Sequence, residues 1–530
     1  MQYIGVVDCR RKILIVPRGI RKGAPILLWE VTIVCAVQLL CGTPWPEPFA
    51  HGSAYSGLHQ GGKVMYGITV LSSYAIIMLM ATLLLTKRET VAEKFYVGDR
   101  HMGTLQSAMS IAATWIWAPA LFMSAEKAYA NGFVGLFWFL VPNILCLLLF
   151  IPFARKIRER MPHGISLAGF MGEQYHSVKV KGIYLFQLGS LSVLSTGVQL
   201  LAGGKILSTI TGIPMFAMTV ILAAIAYSYS QFSGIKASVM TDAVQMIIML
   251  AVCAILIPWA LSMPGNIQAL VKGISGVTGD FTSLFSESGI QVLLGFGIPT
   301  AIGLFAGPFG DQCFWQRAFS IQENKIRRAF TLGALLFAIV PLSMGLLGFV
   351  AAGKGFIPND SGIVNFELVA QLFPRWVMVP FLFMAISGLL STVDSNLCAI
   401  SSLSAELSTV ANSSNAEQMK VAKLSMLGTL AAGILIANIP GVTVTHLFLF
   451  YGTLRSATLL PTVFTLSSVK ASARGVFVGI LLSLCCGLPV FAYGNIYGIA
   501  RYKTLGSLLT VLTAGVASCI ITRMEGKTHG

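Results

Sequence analysis

Charged residues are scarce in this chain: Asp, Glu, Lys and Arg make up 11% of 530 residues, against 55% hydrophobic ones. That proportion leaves too little polar surface to clothe a soluble body of this size. Acidic side chains are scarcer than basic ones, 20 against 36, for a formal net charge of +16. The excess does not point to nucleic acid, because the basic residues are dispersed between apolar runs rather than gathered in a patch. The 10 cysteines include no CxxC pair, and Cys35, Cys146, Cys398 and Cys519 lie inside apolar runs, so no disulfide framework is indicated. The 7 histidines form no HExxH, and GFVAAGKG at 348–355 lacks the closing Ser or Thr and the strand-to-helix setting of a phosphate loop. Without a nucleophile–base constellation or a metal motif, an enzyme is not indicated.

What the chain does have is recurring apolar runs of about 20 residues, the length of a helix that crosses a lipid bilayer. These make it an all-α polytopic membrane protein rather than a barrel. Residues 1–23 are basic (Arg10, Arg11, Lys12, Arg18, Arg21, Lys22) and precede an apolar run at 25–42, expected to be a retained anchor helix. Further spans are expected at 65–86, 104–130, 132–153, 183–210, 213–231, 234–262, 289–310, 328–353, 376–404, 421–439, 443–466, 473–493 and 503–522. With the anchor these make about 14 transmembrane helices. Both termini would be cytoplasmic, since this topology puts most of the 36 Lys and Arg on the inner side. The multi-pass protein is therefore expected in a cell membrane, plasma or inner. Four segments follow: 1–64 as basic N-terminus, anchor and external polar stretch; 65–103 as a flanking helix and cytoplasmic loop; 104–466 as the core; 467–530 as two C-terminal helices and a short tail.

One span is dense in hydroxyls. AISGLLSTVDSNLCAISS at 385–402 places Gly388, Ser391 and Thr392 on one helical face, two side-chain oxygens beside a position without a side chain. Such a face suits a small hard cation; the plainer reading is hydroxyls bonding back one turn or tying helices together. Two other spans contain breaks. In SIAATWIWAPALF (110–122) Pro119 removes a backbone donor, and the span at 289–310 ends in GLFAGPFGDQ with Gly307, Pro308 and Gly310. Carbonyls released in hydrocarbon are costly unless they line a cavity or hold an ion. The breaks are five helices apart, the pattern of inverted-repeat transporters with a midplane binding site.

EKFYVGDRHMG leading into SIAATWIWA, the helix SGIKASVMTDAVQMIIML (233–250), DQCFWQRAFS (311–320) and LLSTVDSNLCAISS together resemble the sodium:solute symporter family over roughly residues 65–470. The resemblance implies a LeuT-type fold, a five-plus-five inverted repeat with flanking helices. It also implies a sodium-coupled symporter that imports a small organic solute by alternating access, with sodium held by Ala113, Ile116, Gly388, Ser391 and Thr392. Gly388 stands where Ala is usual; because that ligand is a carbonyl, the change leaves the ligand in place. Asp242 matches the family's acidic residue on the inward sodium path, and a carboxylate just inside a membrane helix is expensive enough to face a cavity. A cytoplasmic-end carboxylate held in water, or capped by Ser233 or Lys236, is its structural alternative.

The sequence departs from sugar-carrying relatives at Ala120, where they have a polar side chain, and at Gly307, where they have an aromatic gate. This argues against sugar. GPFGDQCFWQR is nearer to urea-transporter-like members, so the expected partners are the bilayer and a solute of the urea, amino acid, nucleobase or carboxylate class. Trp115, Trp117, Phe309 and Trp315 are candidates to line or gate the cavity, since aromatic faces give contact without unpaired polar atoms. Arg455, mid-span in LFYGTLRSATLLP, should face the interior with a partner. That partner is either an anionic group of the solute or a carboxylate such as Asp394. An uncoupled facilitator or channel, or a transporter-like sensor with a vestigial cation site, is the alternative class; the tail after residue 522 is short for a signalling module.

Overall fold

The computed structural model describes residues 3–9, 12–17, 60–407, 410 and 413–528. It divides into two units, Met1–Gly57 and Leu58–Gly530. In the first, Tyr3–Cys9 pairs antiparallel with Lys12–Pro17, with Val6 opposite Ile15 and Val7 opposite Leu14. The basic stretch read from the sequence thus contains a hairpin: Val, Ile and Tyr favour extended backbone, and Arg10 and Arg11 stand between the two runs. The expected anchor at 25–42 lies outside the described residues.

The second unit is helical, and among the described residues 12 helices are long and apolar enough to cross a membrane. One of them, Pro119–Arg160, has 42 residues. At about 1.5 Å per residue it would be roughly twice as long as the hydrocarbon layer is thick. It is divided at Asn131 (φ −119°, ψ 20°) and Gly132 (φ 53°, ψ −145°), where a Cβ on Gly132 would lie 2.4 Å from the Ile274 carbonyl oxygen. The separate spans read at 104–130 and 132–153 meet at this hinge.

Both expected breaks are present. Thr104–Trp115 ends at Ile116 (φ −84°, ψ 76°), and the chain resumes through a wide turn at Pro119–Met123. Pro119 donates nothing to the residue 115 carbonyl and crowds it, which is why the helix cannot run through. The amide of Ala118, left over at the break, donates to Gln199 Oε1 at 2.8 Å. In the second break, Ile298–Phe305 gives way to the single turn Gly307–Gly310, then to extended Asp311 (φ −103°, ψ 115°), and helix restarts at Gln312–Ser320. A Cβ on Gly307 would lie 2.4 Å from Cη2 of Trp115, so glycine is what lets the two breaks touch.

The hydroxyl-rich helix, Met378–Ser404, is buried without interruption from Met384 to Ala399. It packs against Val178–Thr211, Ile235–Ser262, Asn415–Ala437, Thr104–Trp115 and Gln312–Ser320. Its polar face therefore meets protein, not lipid.

Candidate functional site

The hydroxyl-rich helix crosses the first break at the last helical turn, where the Ala113 carbonyl still accepts from the Ile116 amide at 3.1 Å. Ser391 Oγ donates to the Ala113 carbonyl at 2.9 Å and Thr392 Oγ1 to the Thr114 carbonyl at 3.0 Å. Both hydroxyls also reach the Gly388 carbonyl, at 3.2 and 3.3 Å. A Cβ built on Gly388 would lie 3.0 Å from the Ile116 oxygen, which places that carbonyl directly over the glycine. Ala113, Ile116, Gly388, Ser391 and Thr392 thus come together as oxygen donors without a titratable side chain among them. Such a set fits a hard monovalent cation, which would take the oxygen lone pairs. The Thr114 carbonyl is an additional oxygen that the sequence reading did not assign.

Beside this set lies a second polar cluster. Asp242 is fully buried, and its Oδ2 accepts from Ser110 Oγ at 2.5 Å and from Arg317 Nη2 at 2.9 Å. The same Nη2 reaches Thr114 Oγ1 at 2.6 Å and Ser395 Oγ at 2.7 Å, while Nε donates to Ser110 Oγ at 2.9 Å and Nη1 to the Cys313 carbonyl at 3.1 Å. Asp394 Oδ1 accepts from Ser238 Oγ at 2.8 Å and from Ser395 Oγ at 3.4 Å. Its Oδ2 lies 3.3 Å from Thr241 Oγ1. Neither Ser233 nor Lys236 caps Asp242. Lys236 turns instead to Glu89 Oε2 at 3.1 Å and Asp99 Oδ2 at 2.7 Å. The Lys236 ammonium, with help from Lys94, holds the Asp99 carboxyl below the usual carboxylate range.

Arg455 has a carboxylate partner, but it is Asp311 rather than Asp394. Nη2 lies 2.5 Å from Asp311 Oδ2, and Tyr451 Oη donates to Asp311 Oδ1 at 2.5 Å. Tyr451 precedes Arg455 by one helical turn on Val444–Ser456, so both project from one face. The guanidinium carbon sits 3.7 Å from the Tyr451 ring centroid and 5.3 Å from the rings of both Trp115 and Trp117. These aromatic faces compensate part of the charge. Asp394 is unavailable to Arg455 because it faces Ser238 and Thr241 on the Ile235–Ser262 helix.

The four aromatic candidates divide into two groups. Trp115 stacks on Trp117 at 6.4 Å, and Trp117 meets Phe448 at 5.2 Å and Tyr451 at 5.4 Å. Phe309 and Trp315 join Phe150, at 5.3 and 4.6 Å, in a separate aromatic pack. A cavity of about 10 Å³, about the space one water needs, is lined by Thr300, Phe448, Gly452 and Arg455 among others. Of its lining residues, Thr300 Oγ1 and Arg455 Nε are buried without a protein hydrogen-bond partner. Buried polar atoms of this kind are rare and costly. Trp117 Nε1 and Gln187 Oε1 are also without one; Trp117 packs on Phe448 and Tyr451, and Gln187 Nε2 bonds the carbonyl of Leu454.

The sequence reading overlooked Arg317, Asp311 and Tyr451. Arg317 falls between the expected spans at 289–310 and 328–353, where a basic residue reads as part of an inner loop, yet its side chain is 1% exposed. Its apolar neighbours in CFWQRAF were the available signal. For Tyr451 the signal was its spacing of one turn from Arg455.

Comparison with known proteins agrees with this architecture. The urea active transporter of Saccharomyces cerevisiae is 24% identical over 501 residues, which cover 88% of this chain and 66% of the yeast protein. This chain therefore spans slightly less than two thirds of the yeast protein's length. The urea-proton symporter DUR3 of Oryza sativa subsp. japonica is 22% identical over 547 residues, covering 90% of this chain and 74% of that one. A solved structure of a Na+-coupled sialic acid symporter, substrate-bound and outward-open, superposes with a TM-score of 0.68 at 17% identity, over 86% of this chain and 98% of that chain. At that identity the likeness is one of fold, and the fold is the LeuT type that the family resemblance implies. Residues 95–483 match the sodium:solute symporter family, a span that includes both breaks, the hydroxyl-rich helix and the Arg455 pair, and the chain belongs to that family.

Proposed function

We propose that the protein is a sodium-coupled symporter that imports a small, neutral, polar solute, urea or a urea-like amide foremost, by alternating access. The observation that carries this reading is the convergence of Ser391 and Thr392 with the carbonyls of the first break, at 2.9 and 3.0 Å. Those oxygens belong to hydroxyls and peptide groups, which favours sodium over a proton as the coupling ion, although the rice relative's name specifies a proton. Residues 104–466 form the transport core, flanked by 65–103 and 467–530, and the positive-inside rule puts the basic loops and both ends in the cytoplasm of a cell membrane.

A neutral solute is favoured because the charge of Arg455 is already matched by Asp311, so a carboxylate-bearing solute would bring an unbalanced charge into a dry pocket. Trp117 Nε1 and Arg455 Nε offer donors to a carbonyl oxygen, and Gln187 Oε1 offers an acceptor to an amide N–H. The tryptophan and Phe448 faces exclude water around a planar molecule. Sodium entering down the membrane potential releases about 2.3 kcal/mol per charge per 100 mV. Held between the first break and the hydroxyl-rich helix, it would fix the two together. Solute then binds beside Trp117, and the broken-helix bundle rocks to release both inward. Asp242 stands at the end of this polar path, beside Arg317.

Proteoliposomes containing the purified protein provide the test. Labelled urea should accumulate above its outside concentration with an inward sodium gradient and not with an equal potassium gradient. Equilibration to the outside level under both gradients would instead indicate a facilitator and sink the symport reading.

A further inference from the structure

A cavity walled by arginines shares no residue with the cation oxygens or with the aromatic pocket. It measures about 560 Å³, a size usual for small-ligand sites, and is lined by Arg155, Gln322, Glu323, Asn324 and Arg327. Arg155 stands near the end of Ser124–Arg160, and the other four stand on the stretch that leads into Ile326–Gly353 or in its first turn. These two helices pack along one another, so the cavity sits at the seam between their charged ends. The backbone beneath it is fixed. Met102 N donates to the Ser320 carbonyl at 3.2 Å and Gln322 N to the Met102 carbonyl at 3.3 Å, a bridge that holds the stretch against the lead-in of Thr104–Trp115. A site with its backbone already pinned gives up little freedom when a ligand arrives.

The charges around the cavity are not paired off. Residues 155–160 carry four basic side chains and 322–328 three, against Glu159 and Glu323 alone. Two of the arginines turn elsewhere, Arg158 to the Pro162 carbonyl and Arg160 to the Thr465 carbonyl and Ser468 Oγ. Arg155 keeps a long contact of 3.6 Å with Glu159, both half exposed. Among the described residues, Arg327 has no ion pair or side-chain hydrogen bond, and the side-chain amides of Gln322 and Asn324 have no partner. Two guanidinium forks and two amide groups around one cavity make a donor set for a tetrahedral oxyanion. Glu323 offsets one of the two guanidinium charges and leaves the wall positive.

The apolar residues nearby indicate what carries the oxyanion. Before Arg155, Leu145 and Leu149 are exposed on the same helix; after Arg327, so are Leu335, Ile339 and Leu342. In helices long and apolar enough to cross a membrane, such side chains face lipid tails. The two arginines stand about two turns beyond them, at the level of the headgroups. Basic pockets between membrane helices at this depth take anionic headgroups.

We infer that this cavity binds the phosphate of an anionic phospholipid. Arg155 and Arg327 are its cationic ligands, Gln322 and Asn324 its neutral donors, and Glu323 a brake on its affinity; the acyl chains lie along the exposed leucines. This site goes beyond the transport reading and depends on neither the ion nor the solute.

Lipid titration of the delipidated, purified full-length protein in detergent, followed by native mass spectrometry, tests the inference. Phosphatidylglycerol is expected to bind at one copy per chain about tenfold more tightly than phosphatidylcholine, whose choline cancels the phosphate charge. Arg155→Gln and Arg327→Gln should each weaken phosphatidylglycerol binding about fivefold, and Glu323→Gln should tighten it by a similar factor. Arg328→Gln removes the same charge from the neighbouring position, which does not line the cavity, and should leave the affinity within about twofold. These four side chains are exposed, so the substitutions spare the core. Inorganic phosphate, which brings the oxyanion without the chains, should compete only at about a hundredfold higher concentration. Equal binding of the two lipids, or equal losses in Arg327→Gln and Arg328→Gln, would reduce the attraction to the general charge of this face and overturn the inference. Displacement by phosphate at the lipid's own concentration would assign the cavity to a soluble phosphate and overturn the lipid as its source.

Discussion

The protein buries two arginine–aspartate pairs, and their surroundings differ in kind. Arg317 is enclosed by oxygens, with four side-chain acceptors, one carbonyl and a second carboxylate nearby. Arg455 has one carboxylate, a ring face at 3.7 Å, two more at 5.3 Å, and an Nε without a partner. The oxygen-rich surroundings form a shell of the kind a cation takes, and here the guanidinium fills it. The aromatic surroundings are balanced in charge and apolar in wall, and they suit a neutral molecule. One residue type thus serves two compartments, and its neighbours decide which.

Breaking the balanced pair should have the largest effect. Arg455→Gln leaves Asp311 buried with the Tyr451 hydroxyl but no counter-charge, a cost of about 3–5 kcal/mol, and uptake is expected to fall by about 100-fold or more for neutral and carboxylate-bearing solutes alike. Loss confined to carboxylates would show that Arg455 meets the solute's charge and would overturn the comparison. Next come Ser391→Ala and Thr392→Ala, each of which removes a hydroxyl from a cation. At about 1.5 kcal/mol for such a contact, the sodium concentration for half-maximal uptake should rise about tenfold, with the solute's own half-saturation at saturating sodium unmoved. Unaltered sodium dependence in both would separate these hydroxyls from the ion.

Trp117→Phe sharpens the other side. It keeps one six-membered aromatic face but loses the pyrrole half of the indole with its N–H, so solute half-saturation in uptake assays should rise about three- to tenfold while sodium dependence stays put. A smaller shift is expected from Gly388→Ala. The new Cβ would meet Leu121 Cδ1 at 2.6 Å and the Ile116 oxygen at 3.0 Å. The leucine end can move, but the carbonyl can give only slightly, so sodium half-saturation should rise about threefold. The smallest effect concerns Asp99. Its carboxyl is held low by Lys236, so its contribution to stability is present above the ordinary carboxylate value of about 3.9 and is lost as pH falls through the lower folded value. Acid unfolding followed by circular dichroism should separate Asp99→Asn from wild type at neutral pH and bring the two together in strong acid.

Much of the scaffold was legible because bilayer thickness turns apolar length into helix position. The expected span at 376–404 is realised as Arg375–Ser404, and that at 234–262 as Ile235–Ser262. The breaks were legible for a related reason, since Pro119 and Gly307-Pro308 are local chemistry. Pairing was not. Arg455 meets Asp311 across 144 residues and Arg317 meets Asp242 across 75, and which carboxylate reaches which arginine depends on how helices cross, which no single helix encodes. The pairing of Tyr3–Cys9 with Lys12–Pro17 was missed because the basic residues of the stretch outweighed its β-branched runs.

The missing methyl at Gly307 has a mechanical consequence. Because only hydrogen fits between that position and Cη2 of Trp115, the paired half-helices are seated against one another like a tongue in a groove. On the symport reading, a tilt of the half-helix that grips the ion would press directly on its counterpart, so steric fit would join binding energy in tying the two movements together.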